Sequence, residues 1–316
     1  PLMGPIPFIS KTNNPLEHLK KTYREVKLTE EALRIHGEAL VIDAHNDMPG
    51  NILAKGLNKE PAFTLNELQP QLQTDIPRLR KGGVDAQVFV SYISPDHMRT
   101  GGGNEACIEQ IELIHQLVDS HAGDLELALA SKDIPEMAGR GKIAVLVGVE
   151  GGHAIENDMG NLERYYEMGA RYMTLTHNEN TPWADASYDV PEHGGLTSFG
   201  EEVVWAMNRL GMLVDLSPEA FGEHMKAWEK LQPERTPCYV GHLVDHIDHL
   251  VKVAGIDHVG LGSDYDGITY GPRQMADVSG FPYITQELLN RGYSSAEIKK
   301  ILGENFIRLL SQAEKS

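Results

Sequence analysis

Short, nearly continuous apolar runs alternate along the chain with stretches of helical periodicity. Six runs read as buried strands: Ala39–His45, Asp85–Tyr92, Ile143–Glu150, Arg171–His177, Met212–Ser217 and His258–Asp264. The pattern from Thr29 to Leu40 predicts a helix with Thr29 as N-cap and acids in its first turn. Asn104 is expected to cap a second helix, with Ile108, Ile111, Ile114 and Val118 on one face and Gly123 closing the region. Helices are also predicted for Leu162–Met168, Phe199–Leu210 and Leu243–Ala254. The capping box Ser294-x-x-Glu297 opens a last helix, expected to stop at Gly303. Residues 1–27 read as an N-terminal arm and residues 28–316 as a single domain.

Strands without polar alternation, separated by helices, imply a parallel sheet covered on both faces. The runs also deliver polar or ionisable residues at their C-terminal ends: His45, Glu150, His177, Ser217 and Asp264. In a closed barrel those ends share one mouth, where active sites sit. No Gly-rich phosphate loop follows any run, which disfavours a dinucleotide fold. The expected fold is therefore an α/β (β/α)8 TIM barrel of the metal-dependent hydrolase type. The count falls short, because six runs are present where eight are needed. The shortfall lies between about residue 217 and residue 238, around Pro233 and Pro237, as if two β/α units were missing.

Several of these residues carry candidate chemistry. His45-Asn-Asp47 places an imidazole and a carboxylate two apart, a spacing that aims both the same way on a strand. They read as ligands of one metal ion, or else as a surface histidine beside a loop-capping aspartate. Glu150 ends an apolar run, where a carboxylate is costly unless satisfied. Either a buried ion pair or a glutamate bridging two metals accounts for it. His177 reads as a core histidine or as a substrate contact. Asp264 at a barrel mouth suits a general acid/base, whereas Asp266, just before Gly267, reads as a turn residue. His246 and His249 share a helical face with interleaved acids and read as solvated. Cys107 and Cys238 have no nucleophile context and read as packing residues.

Composition narrows the classes. A 41% hydrophobic and 23% charged chain of 316 residues is typical of a globular protein. The net charge of −18 comes with no basic stripe, so nucleic acid is not an expected partner. The longest strictly apolar run, Ile143–Val147, is far short of the ~20 residues a membrane span needs. Two cysteines cannot build a disulfide framework.

Seven segments in order resemble the membrane (renal) dipeptidase family of zinc peptidases, its bacterial members above all. They are Val41–Pro49, Gly148–His153, Leu175–Asp185, Leu210–Ser217, Val244–His249, His258–Gly267 and Gly303–Arg308. The resemblance implies two zinc ions and hydrolysis of a dipeptide through a metal-bridging hydroxide. It implies His45 and Asp47 as ligands of one zinc and Glu150 as the bridging carboxylate. His177 would be the substrate-binding histidine and Asp264 the acid/base. Related readings are a metal-dependent amidohydrolase acting on another small amide, such as a D-amino acid or β-lactam-like substrate, and a non-catalytic relative. A homodimer and an exported or periplasmic location are what such a family member suggests.

The chain departs from the family where the strand count fails. Pro218 stands where the family has a zinc histidine. A further zinc histidine, a substrate-binding arginine and two strands are not found, and the match resumes near Cys238. The shortfall reflects an omitted stretch on the order of 60 residues, a true deletion, or a site rebuilt with other ligands such as His224 or His242. Glu179 stands where some animal members have a cysteine, so their disulfide is not expected.

Overall fold

A computed structural model describes residues 23–216 and 238–315. Six parallel strands form one sheet: β1 (Ile42–Asn46), β2 (Ala86–Tyr92), β3 (Leu125–Leu127), β4 (Ile143–Glu150), β5 (Ala170–Thr174) and β6 (Leu213–Asp215). The order is β1-β2-β4-β5-β6, with β3 paired to β4 off this path. β3 takes the start of β4, at Ile143–Val145, and β5 takes its end from Val147 to Glu150.

Alternation along β4 decides what each face does. Val145, Val147 and Val149 pack with Ile111, Ile114 and Leu117 of the helix Gly103–Ser120. Ala144 and Leu146 face the other way, with Ala86, Val88, Val90 and Tyr172. Glu150 has the same parity as Ala144 and Leu146, so it ends that second face. Register then lines up Tyr92, Glu150, Thr174 and Asp215 in one row across the C-terminal ends of β2, β4, β5 and β6.

The sixth predicted run is not a regular strand. Val259 to Tyr265 nevertheless follows the free edge of β1, where Ala44 N–H bonds to the Leu261 carbonyl and Asp264 N–H to the His45 carbonyl. A parallel bridge joins Asn46 and Tyr265. The sheet is curled, a partial barrel of the TIM type, and its strand ends converge as expected. Residues 217–237 lie outside the described residues, so Ser217, Pro218, His224, Pro233 and Pro237 do as well.

Two predicted helix ends need correction. The helix begins at Gly103, one residue before Asn104. The Asn104 side chain instead accepts a hydrogen bond from the Tyr165 hydroxyl. The helix opened by the Ser294–Glu297 capping box does not stop at Gly303. It passes through one π turn, Lys300–Glu304, and continues from Asn305 to Ala313. Gly303 is there for close approach, since a Cβ would lie 2.3 Å from the Leu40 carbonyl oxygen. Thr29 does cap its helix, accepting from Ala32 N–H.

Candidate metal centre

β1 delivers His45 near its end, and Asp47 follows as the residue before the helix Met48–Lys55. Asp47 N–H donates to the Tyr265 carbonyl, which pins this turn to the segment beside β1. β4 ends at Glu150. His45 Nε2 lies 3.6 Å from Asp47 Oδ2, 3.5 Å from Glu150 Oε2 and 3.9 Å from Asp264 Oδ1. One donor atom from each of His45, Asp47 and Glu150 lies within 4.8 Å of the other two. His177 Nε2 is 3.7 Å from the other Glu150 oxygen, and its ring meets the Tyr92 ring edge-on at 5.0 Å. All five predicted site residues thus meet at one mouth.

The electrostatics fit a cation. Among the described residues, no Lys or Arg pairs with Asp47, Glu150 or Asp264; only imidazoles face them. Asp47 Oδ1 is buried without a hydrogen-bond partner, the condition of a carboxylate oxygen shaped to receive an ion. Burial alone would lower the His45 pKa, but Asp47 and Glu150 outweigh it and push it up to about 11. Asp264 is pushed up to about 7, by desolvation first and then by the neighbouring Asp47. It sits in the left-handed region at φ 58°, and its side chain remains half exposed.

Gly267 closes the cradle. A Cβ there would lie 2.3 Å from Asp47 Oδ2 and 2.7 Å from Asp264 Oδ1. Asp266 is the turn residue expected, accepting from Gln73 N–H at 2.8 Å and from Asn51 at 3.1 Å.

Three neighbours of the centre were not singled out from the sequence. Tyr172 on β5 places its hydroxyl 2.9 Å from His45 Nδ1. Asp43, wholly buried, accepts from the Ser263 N–H and hydroxyl and so ties the Val259–Tyr265 segment to β1. Asp215 accepts from the Thr174 hydroxyl, and burial raises its pKa. Asp43, two places before His45 in an apolar run, carried a signal that sequence reasoning could have used, whereas Tyr172 did not.

Other candidates fall elsewhere. His242, a possible substitute ligand, is committed to a helix cap, its Nδ1 accepting from Tyr239 N–H, and its ring packs against Tyr23. His246 and His249 are exposed on the helix Val240–Ala254, as expected. Cys107 is buried, but Cys238 is exposed and so is not a packing residue. Glu179 pairs with Arg99 at 2.7 Å on the rim.

Donor side chains gathered at the strand ends of a curled parallel sheet define a metal-dependent hydrolase. The model of the membrane dipeptidase family, peptidase family M19, matches residues 29–228 and 223–316. The chain belongs to that family and is a dipeptidase of the metallopeptidase class. It is 32% identical over 337 residues to dipeptidase verJ of Clonostachys rogersoniana, covering 90% of this chain and 86% of that one. To dipeptidase 3 of Rattus norvegicus it is 31% identical over 340 residues, covering 91% and 68%. That alignment is longer than the chain itself, so the relative carries positions missing here. The family match breaks in two at residues 223–228, inside the region where the strand count fails.

Solved structures agree on the fold. The dipeptidase AC, a metallopeptidase of family M19, superposes with a TM-score of 0.72 at 20% identity, over 88% of this chain and 99% of that one. A metallopeptidase from Rhodobacter sphaeroides, liganded with a phosphinate mimic of the dipeptide L-Ala-D-Ala, gives 0.70 at 20% identity over 87% and 99%. No helix among the described residues is long and apolar enough to cross a membrane.

Proposed function

We propose that this chain is a zinc-dependent dipeptidase whose metal is held by His45, Asp47 and Glu150. The observation that carries the reading is the approach of these three donor atoms to within 4.8 Å of one another. One imidazole and two carboxylates form a donor set that zinc accepts. Bound there, zinc supplies Lewis-acid polarisation of the amide carbonyl and a lowered pKa for attacking water. His177, beside Glu150, is placed to donate a hydrogen bond to the carbonyl oxygen as it gains negative charge. Asp264, half exposed next to Asp47, is placed to accept the proton of the attacking water. It then delivers that proton to the leaving amine. The family resemblance implies two ions; the described residues assemble one three-donor group, and a second ion needs donors from outside them.

The test is a substrate panel on the full-length, zinc-loaded protein. Gly- and Ala-containing dipeptides are compared with tripeptides and with small amides that are not peptides. L-Ala-D-Ala is included because its phosphinate mimic was bound by the Rhodobacter metallopeptidase. Release of amino acids from dipeptides alone is expected. Cleavage only of non-peptide amides would transfer the chain to an amidohydrolase role, and turnover of nothing would mark a non-catalytic relative.

A further inference from the structure

We infer that Tyr172 is a positioning residue that fixes which nitrogen of His45 faces the metal. The inference rests on the proposed zinc site and concerns the shell behind it. Tyr172 is 6% exposed, and its ring crosses in front of β4 in a niche left by Gly148. A Cβ on Gly148 would lie 2.4 Å from that ring. The niche aims the hydroxyl at two groups of β1, the Ala44 carbonyl at 3.3 Å and His45 Nδ1 at 2.9 Å. The hydroxyl has one proton and two lone pairs. The Ala44 carbonyl can only accept, so it takes the tyrosine proton, and the phenolic oxygen accepts Nδ1–H from His45. In the metal-bound form that arrangement turns the Nε2 lone pair toward Asp47, Glu150 and Asp264, which lie 3.5 to 3.9 Å away. A lone pair facing three carboxylates is unfavourable unless a cation lies between them. The tyrosine therefore selects the tautomer that a metal requires and holds the ring plane.

The role differs from packing, because the ring alone fills the niche and only the hydroxyl sets the tautomer. Tyr172→Phe keeps the ring and removes the hydroxyl. Zinc affinity is measured by competition with a chelator for the wild type, Tyr172→Phe and a control, Tyr165→Phe. The control also loses a buried hydroxyl, one bonded to the Ala154 carbonyl at 2.7 Å. Tyr172→Phe is expected to bind zinc about 10- to 100-fold more weakly, with the control at the wild-type value. The visible spectrum of the cobalt(II)-substituted protein is expected to change in Tyr172→Phe only. Wild-type affinity and an unchanged cobalt spectrum in Tyr172→Phe would overturn the inference. Failure of the wild type itself to bind zinc would instead overturn the proposed function. If Tyr172→Phe does not fold, a crystal structure of the zinc-loaded wild type decides. Zinc on His45 Nε2 with Tyr172 still bonded to Nδ1 supports the role, and zinc on Nδ1 refutes it.

Discussion

Replacing Gly267 by alanine tests the cradle without touching a proposed ligand. The added Cβ would lie 2.3 Å from Asp47 Oδ2 and 2.7 Å from Asp264 Oδ1. Restoring ordinary van der Waals separation moves the Asp47 oxygen by about 1 Å. Asp47 cannot swing aside easily, because its side chain is short and its N–H is bonded to Tyr265 at 2.9 Å. Disturbing the support of a metal ligand costs about 10- to 100-fold in affinity, and the upper end is about 2.8 kcal/mol. The assay is urea unfolding with and without zinc, the free metal set at 100 times the wild-type Kd. Zinc should then stabilise the wild type by about 2.7 kcal/mol and Gly267→Ala by only about 0.4 kcal/mol. Because the readout is the gain on adding zinc, strain that the substitution puts into the metal-free fold cancels. An equal gain in both proteins would refute the claim that Asp47 is a ligand held in place by this glycine.

Two further predictions concern stability away from the centre. His36 is buried and neutral, with Nδ1 bonded to the Thr285 hydroxyl and Nε2 to the Gly82 carbonyl, and burial lowers its pKa from 6.5. The unfolded chain therefore binds a proton that the folded one resists, and His36 costs stability as pH falls through 6.5 and below. The stability advantage of the wild type over His36→Gln should shrink between pH 7.5 and pH 5.5; a pH-independent difference would show that His36 does not titrate this way. Arg291 bonds to Asp245, Asp248 and Glu287 at once and also to the Gly241 carbonyl. Arg291→Met leaves those acids without their cation and should cost about 3 kcal/mol in urea unfolding, whereas a loss under about 0.5 kcal/mol would make the cluster a mere surface network.

The strand ends were legible in the sequence because a polar residue closing an apolar run is costly unless something uses it. His45, Glu150, His177 and Asp264 stood out for that reason and Asp47 for its spacing from His45, and all five come together. What was missed lacked such contrast. β3, Leu125–Leu127, is three residues long with Glu126 at its middle and Asp124 before it, so no apolar run marks it. Tyr172 sits inside an apolar strand, where an aromatic reads as core. Its hydroxyl matters only because Gly148, its direct partner on the neighbouring strand β4, leaves it room. Gly303 was read as a stop because glycine often ends helices, yet here it admits the Leu40 carbonyl. His258–Asp264 was read as a strand, and its apolar character is real. It runs beside β1, but Asp264 takes a positive φ there and the segment does not form a regular strand. The shortfall between about residues 217 and 238 shows both in the strand count and in the family match, which divides in the same region.

Ligation of the metal by His45, Asp47 and Glu150 is the proposal on which the dipeptidase mechanism stands. It is tested most directly by titrating zinc into chelator-stripped, full-length protein while following hydrolysis of a Gly- or Ala-containing dipeptide. Activity should be absent at the start and rise as zinc fills the site of His45, Asp47 and Glu150. His45→Ala and Glu150→Gln should abolish both the binding and the rise. Dipeptide hydrolysis that needs no metal, or zinc binding unchanged in His45→Ala, would contradict it.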